Sequence, residues 1–115
     1  MTALAVDPTR IDVRMATSST GCVVTVSGEV DSVTAPSLRE CLLEVLGRAG
    51  LTAVEVDLTR VTFLDSAGLS ALATAHRAAV AAGRGLRFRC GTARAVVRPL
   101  QITGLWDVFS VVDAG

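Results

Sequence analysis

Asp65, Ser66 and His76 supply the three residue types of a catalytic triad. In such a site the His takes the Ser proton across a hydrogen bond of about 3 Å. If Ser66 and His76 share one helix, ten residues at a rise of ~1.5 Å separate them by about 15 Å along its axis. The sequence contains no second His. We therefore expect neither a Ser-His pair nor an enzyme.

Other catalytic and metal-binding motifs are absent from the sequence. It contains no Lys, which excludes a P-loop and Schiff-base chemistry, and no Gly-x-Ser-x-Gly elbow. Asp31 and Asp65 could act as paired carboxylates, but the sequence does not fix their separation. The cysteines are far apart and lack a Cys-x-x-Cys spacing: Cys22, Cys41 and Cys90. We expect no cofactor and no metal, and interpret these cysteines as buried free thiols in a reducing compartment.

Charge is balanced over the whole chain but not along it. The eleven basic residues are all Arg and match eleven acids, yet residues 66–106 hold six Arg and no acid. These Arg either scatter over a solvated surface or form a face that binds a partner. Nucleic acid binding favours a net positive domain or several aromatic residues interleaved with the Arg, whereas this chain has no net charge and few aromatic residues. We therefore expect no nucleic acid partner.

The length of 115 residues fits one domain with a single core of Val, Leu and Ala. No apolar run approaches the ~18 residues of a membrane span. The first eight residues lack the basic and long apolar regions of a signal peptide. We expect a cytoplasmic protein without direct membrane insertion, with a flexible tail at residues 1–10 and a single domain at residues 11–113.

Alternating strand and helix patterns predict the order β-β-α-β-α-β-α-β. Alternating or Val-rich apolar residues indicate five strands, at residues 11–15, 22–28, 54–58, 86–90 and 109–112. A helical apolar period indicates three helices, over residues 36–46, 66–82 and 93–100. Right-handed crossovers then predict an α/β fold, with a small mixed sheet of about four to five strands and helices packed on one side.

Residues 62–69 form the junction between a Val-rich strand and the second helix. Asp65 and Ser66 are both good N-cap residues, because a side-chain oxygen accepts an N–H of the first turn, worth roughly 1 kcal/mol. Either one could be the cap, so Ser66 is either a structural cap or a functional hydroxyl. The neighbouring Ala67 and Gly68 are small, which lets another protein approach closely. This setting is typical of an accessible phosphorylation site.

The sequence resembles a STAS domain, and in particular the stand-alone anti-sigma factor antagonists of bacteria. The resemblance covers about residues 11–113. It is carried by three segments: Gly28-Glu29-Val30-Asp31 with Thr34-Ala35 and Leu38, Val56-Asp57-Leu58 with Val61 and Phe63, and above all Asp65-Ser66-Ala67-Gly68-Leu69. Many relatives carry a second Ser or a Thr where this chain has Ala67, which leaves Ser66 as the acceptor in the motif.

The resemblance implies a switch by phosphorylation at Ser66. In that family the anti-sigma factor is a Ser/Thr kinase that phosphorylates the matching Ser, and a PP2C-type phosphatase reverses the modification. The unmodified antagonist binds the anti-sigma factor and frees sigma, and so controls sigma-factor-dependent transcription. The partner-binding surface that we expect by this resemblance comprises Asp31, Thr34, Ser37, Asp65, Ala67, Gly68 and Leu69.

The same resemblance leaves a second function open. A STAS domain can be a scaffold or a regulatory subunit of a transporter, for example of a lipid-transport ABC complex, in which the Ser need not be phosphorylated. The fold does not separate the two, because function depends on the surface that the fold carries. A neighbouring gene for a kinase, sigma factor or phosphatase favours the switch, whereas a permease gene favours the subunit.

Overall fold

The structure is a computed structural model that describes residues 10–19 and 21–112. Apart from Arg10, the predicted tail at residues 1–10 lies outside these residues, as does Thr20 in the predicted first turn. The described residues form five strands and four helices, in the order β1 (Ile11–Thr17), β2 (Gly21–Val30), α1 (Ala35–Leu46), β3 (Ala53–Leu64), α2 (Ser66–Ala82), β4 (Gly85–Arg89), α3 (Arg94–Thr103), α4 (Leu105–Val108) and β5 (Val111–Val112).

The strands form one sheet in the order β1-β2-β3-β4-β5. β1 and β2 are antiparallel, and the other three pairs are parallel. Because the spatial order follows the chain order, successive right-handed crossovers carry their helices over the same face of the sheet. The predicted α/β class, with a mixed sheet of five strands, is confirmed.

The two faces of the sheet differ in polarity. Val24, Val56 and Phe88 point to one face, where they are fully buried against the helices. On the opposite face Glu55 of β3 forms ion pairs with two residues of β4, 3.8 Å to Arg87 and 3.2 Å to Arg89. This alternation follows the two-residue period of a strand, and it agrees with helices on one side.

Helices α1 and α2 pack on the buried face and against each other. α1 begins with Pro in its first turn, as predicted, and α2 has the predicted bounds, with Gly83 in the left-handed conformation after its last residue. Leu42 and Leu72 are completely buried. Burying one Leu side chain stabilises the fold by about 1.5–3 kcal/mol. This packing fixes the position of the α2 N-terminus.

Strand β3 is longer than the sequence predicts, since it continues beyond Leu58 to Leu64. Its last inward residues, Leu58, Val61 and Leu64, are spaced by three rather than two. Register shifts against β2 account for this spacing, because extra β3 residues turn the strand relative to its neighbour. Because of the bulges, this part of the strand lacks the simple alternation of buried and exposed residues that predicts a strand. The strand continues to Leu64, the residue before Asp65.

The region after β4 also differs from the prediction. A helix was expected over residues 93–100, and α3 continues to Thr103 with Pro99 inside it. Four residues, Leu105–Val108, then form the short helix α4, which the sequence did not indicate. The predicted strand at residues 109–112 contracts to Val111–Val112 because Phe109 instead packs in the core, with its ring stacked on Phe88 at 4.4 Å.

Gly28 allows the start of β1 to lie close to the end of β2. It has φ of 98°, and a Cβ there would lie 2.1 Å from the carbonyl oxygen of Arg10. That oxygen accepts a 2.7 Å hydrogen bond from the Glu29 N–H. Only Gly tolerates both the left-handed backbone and this close approach. Gly28 therefore brings Arg10 to the carboxyl end of β2.

The three cysteines are buried free thiols, as predicted. Burial raises the pKa of each thiol above its ordinary value of 9.0, and for Cys90 it raises the pKa to about 11. These groups are therefore protonated and poorly nucleophilic at neutral pH. Within residues 10–19 and 21–112, no helix is long and apolar enough to cross a membrane.

Candidate functional site

The candidate site lies where two parallel strands end side by side. Val30 at the end of β2 pairs with Leu64 at the end of β3. The backbone N–H of Asp65 donates a 3.2 Å hydrogen bond to the Val30 carbonyl oxygen. The loop after β2, which contains Asp31, is therefore tied to the first residues of α2, which contain Ser66. The carboxyl ends of parallel strands are common positions for functional loops.

Asp65 is the N-cap of α2. Its backbone is extended, and its Oδ1 accepts hydrogen bonds from the N–H groups of Ala67 at 3.0 Å and Gly68 at 3.1 Å. These bonds satisfy two of the free N–H groups of the first helical turn. Of the two cap candidates in the sequence, the structure therefore selects Asp65.

Ser66 is the first residue of α2 and is exposed. None of the hydrogen bonds among the described residues involves its hydroxyl, because Asp65 already holds the N–H groups that a capping Ser would bind. Within the described part of the chain, the hydroxyl therefore makes no structural hydrogen bond that modification would disrupt. A kinase could reach it without unfolding the helix.

Gly68 lets α2 approach the end of β2 very closely. A Cβ at this position would lie 2.6 Å from Leu64 Cδ1 and 2.8 Å from Val30 Cγ1, with the Val30 carbonyl oxygen at 3.2 Å. Gly68 and the following Leu69 are both buried. Because Gly68 and Leu69 are buried in the isolated chain, a partner cannot contact them directly. They therefore contribute to the site by positioning Ser66.

Asp31 organises the loop between β2 and α1. Its Oδ1 accepts hydrogen bonds from the N–H groups of Val33 at 2.9 Å and Thr34 at 3.1 Å. The Thr34 hydroxyl donates to the Glu29 carbonyl oxygen at 2.9 Å and accepts from the Asp31 N–H at 3.0 Å. Thr34 is only 1% exposed. The loop is thus held by an internal network, and Thr34 supports it from beneath the surface.

Arg10 also belongs to the site, although the sequence does not predict it. Its guanidinium forms an ion pair with Asp31 Oδ2, and the two side chains are 31% and 17% exposed. Twenty-one residues separate them, and only the antiparallel β1-β2 pairing brings them together. No local pattern in the sequence could have indicated this contact. Arg10 compensates the negative charge of Asp31 beside the site.

Two exposed apolar residues also lie near the site, although the sequence did not indicate them as site residues. Val33, in the loop that Asp31 organises, is 69% exposed, and Phe63, two residues before Asp65, is 47% exposed. A loop Val and a strand-end Phe carry no distinctive sequence signal, because each is equally common in a core. Their exposure gives the surface around Ser66 an apolar component suited to contact with a protein.

The remaining predicted residues take different positions. Ser37 lies in the first turn of α1 and is partly exposed, as is Ala67 in the first turn of α2. His76 lies almost three turns along α2 from Ser66, with its ring 5.4 Å from that of Phe109. This placement leaves no base beside the Ser66 hydroxyl within α2. No group of three His, Cys, Asp or Glu in the described part of the chain could hold a metal ion.

Comparisons with known proteins agree with this architecture. The family model of the STAS domain matches residues 12–114. The anti-sigma-F factor antagonist RsfB of Mycobacterium tuberculosis is 34% identical over 103 residues, which are 89% of this chain and 81% of that protein. The anti-sigma-B factor antagonist of Listeria monocytogenes is 33% identical over 92 residues, 75% of this chain and 74% of that protein.

A solved structure shows the same fold at similar identity. The crystal structure of an anti-sigma factor antagonist from Mycobacterium paratuberculosis matches with a TM-score of 0.80 and 32% identity. The match covers 91% of this chain and 87% of that chain. Together with the family model, which spans nearly the whole chain, these relatives identify the chain as a member of the STAS domain family.

Proposed function

We propose that this protein is an anti-sigma factor antagonist that binds a kinase-type anti-sigma factor while Ser66 is unmodified. The observation that carries the proposal is the exposed Ser66 hydroxyl, which forms no hydrogen bond with the described residues, at a helix start that Asp65 already caps. Relatives at 33% and 34% identity are named as antagonists of anti-sigma factors, which supports the same class of partner.

The surface that meets the partner combines exposed residues with buried ones that hold them in place. In this proposal the contact surface consists of residues that are at least partly exposed: Asp31, Ser37, Asp65, Ser66 and Ala67. The buried members of the predicted set act through their packing: Thr34, Gly68 and Leu69. Substitution of a buried member would therefore lower binding together with stability.

Phosphorylation would leave the isolated chain folded. A phosphate on Ser66 adds a charge of about −1.5 to −2, which is favourable at the N-terminus of a helix. The nearby Asp31 is already paired with Arg10, which limits repulsion within the chain. The modification would thus change the surface rather than the fold.

The cost of phosphorylation falls on the complex. Against a partner that covers Ser66, the phosphate must lose water, and it adds charge beside Asp65 and the exposed Phe63. Burying an uncompensated charge is strongly unfavourable. A loss of ~3 kcal/mol would weaken affinity by more than a hundredfold, which is sufficient for a switch.

In this proposal the chain is a cytoplasmic regulatory protein and not an enzyme. The kinase-type anti-sigma factor transfers phosphate to Ser66 Oγ, and a PP2C-type phosphatase removes it. Release of the antagonist lets the anti-sigma factor capture its sigma factor again. Whether the sigma factor is free or captured thus depends on the ratio of kinase to phosphatase activity at Ser66.

Binding measurements with the purified anti-sigma factor test the proposal. Wild type and Ser66→Ala should bind, whereas Ser66→Asp should lose at least a hundredfold in affinity by titration calorimetry, because the carboxylate brings charge to the contact. Ser19→Asp is a matched control that should bind like wild type, since Ser19 is exposed in the turn between β1 and β2, at the end of the sheet opposite to Ser66. Equal binding by wild type and Ser66→Asp would reject the switch, whereas failure of unmodified wild type to bind the anti-sigma factor would favour the transporter-subunit alternative.

A further inference from the structure

Helix α3 presents two arginines that form no ion pair with an acid of the described residues. Arg94 and Arg98 are both exposed and stand four residues apart, on neighbouring turns. The ion pairs among the described residues all involve other arginines: Arg10, Arg14, Arg48, Arg87 and Arg89. The two α3 arginines therefore place two positive charges one turn apart, without an ion-pair partner among the described residues.

This arrangement is unfavourable for the isolated helix. Like charges at a spacing of four residues destabilise a helix. An acid on the same helix would relieve the repulsion, but residues 66–106 contain none. Arg94 also lies in the first turn of α3, where the helix dipole disfavours a cation. Helix stability therefore does not explain this pair.

The two arginines line a shallow recess on the protein surface. The recess has a volume of about 210 Å³, and its other lining residues are Thr92, Val97 and Gln101. Two guanidinium groups with hydroxyl and amide neighbours offer many hydrogen-bond donors. Guanidinium groups bind carboxylates through paired, charge-assisted hydrogen bonds. The chemistry of this recess is therefore suited to Asp or Glu side chains.

The position of α3 connects the recess with the candidate site. α3 packs against β3, the strand that ends directly before Asp65 and Ser66. The chain approaches β3 just before α3, since a Cβ at Gly91 would lie 3.2 Å from Thr59 Cγ2. A partner that covers Ser66 and extends along β3 would thus meet α3.

We infer that the Arg94–Arg98 recess is a second contact for the same partner and binds an acidic segment of the anti-sigma factor. The inference rests on the proposed function and adds the chemistry of a contact outside the Ser66 surface. An acidic partner segment also agrees with the switch, because it adds no positive charge that would attract phosphorylated Ser66. Exposed charge pairs of this kind chiefly raise the rate of association and its dependence on salt.

A double variant, Arg94→Gln with Arg98→Gln, tests this contact. Both side chains are exposed, so the fold should be retained, and a thermal unfolding curve checks this. At low salt we expect binding to the anti-sigma factor to weaken by about tenfold, mainly through slower association, with a smaller salt dependence than wild type. The matched control is Arg14→Gln with Arg77→Gln, two exposed arginines on other elements, which should change affinity less than about twofold.

The outcomes separate this inference from the proposed function. If wild type and the α3 double variant bind equally while Ser66→Asp does not, the recess is no contact and the Ser66 switch stands. An equal loss in the Arg14 and Arg77 control would also overturn the inference, because the effect would then be one of net charge. If unmodified wild type fails to bind the anti-sigma factor, both proposals fall.

Discussion

The two helix starts at the candidate site carry the same chemical group in opposite environments. Each follows the end of a parallel strand, and each has an Asp whose carboxylate accepts N–H groups, Asp31 before α1 and Asp65 before α2. At the first, the Thr34 hydroxyl is buried and hydrogen-bonded on two sides. At the second, the Ser66 hydroxyl is exposed and unbonded among the described residues.

This difference shows that surroundings, rather than residue type, decide what a hydroxyl does. Loss of a buried hydroxyl leaves its former partners unsatisfied, which costs about 1–3 kcal/mol. An exposed hydroxyl can be modified or removed at almost no cost in folding. Thr34 is therefore a structural group, whereas Ser66 is available for regulation.

The largest effect on stability is expected at the close contact that sets the α2 start. Gly68→Ala should lower the free energy of unfolding by about 2–3 kcal/mol, because the new methyl group meets Leu64 and Val30. In an unobstructed helix the same change stabilises by roughly 0.5–1 kcal/mol. Urea denaturation measures the sign of the change in unfolding free energy. Ala81→Gly, on the exposed side of α2, is the control that measures the effect of helix propensity alone. A stabilised Gly68→Ala variant would contradict the close contact.

The next effect tests the two hydroxyls against each other. Thr34→Val should lower the free energy of unfolding by about 2 kcal/mol, because the Glu29 carbonyl oxygen and the Asp31 N–H lose a partner. Ser66→Ala should change it by less than about 0.5 kcal/mol. Thr34→Ser retains the hydroxyl and should recover most of the loss. Similar denaturation curves for Thr34→Val and Ser66→Ala would break the comparison.

A smaller effect separates Asp65 from its neighbour. Asp65→Ala removes the acceptor of two N–H groups and should cost about 1 kcal/mol. Asp65→Asn keeps a capping oxygen and should lose less. Both changes are measured by thermal unfolding beside Ser66→Ala. If Ser66→Ala were the more damaging substitution, Ser66 would be the cap.

The Cys90 thiol is also buried, and the resulting pKa shift should leave the free energy of unfolding unchanged at neutral pH. Burial raises the pKa of Cys90 from 9.0 to about 11, so the unfolded chain loses this proton first as pH rises. The contribution of Cys90 to the unfolding free energy should therefore be constant below about pH 9 and fall between about pH 9 and 11. Denaturation at several pH values checks this, and Cys90→Ala should fall less steeply. An equal slope in that variant would assign the decline to other groups.

Much of the fold could be predicted from periodic patterns. The bounds of α2 follow from its apolar period, the capping residues before it and Gly83 after it. The full length of β3 could not be predicted, because its bulges replace alternation with a spacing of three at Leu58, Val61 and Leu64. The helix α4 is also absent from the pattern, since four residues are too few to show a period.

The residues of the candidate site likewise differ in whether the sequence could predict them. Asp65 and Ser66 are neighbours, so a local rule about helix starts finds them, although only the structure shows which residue is the cap. Arg10 depends on a contact across two strands, and the exposure of Val33 depends on the path of a loop. Properties set by residues far apart in sequence leave no local signal.

Mapping the phosphate after incubation with the anti-sigma factor and ATP tests the role of Ser66 most directly. Tandem mass spectrometry of the wild type should find one phosphate, on Ser66, and none on the exposed Ser70 of the same helix. Ser66→Ala should remain unmodified and should still bind the anti-sigma factor. A phosphate on another residue, or phosphorylation of Ser66→Ala to the wild-type extent, would contradict the assignment of Ser66 as the switch.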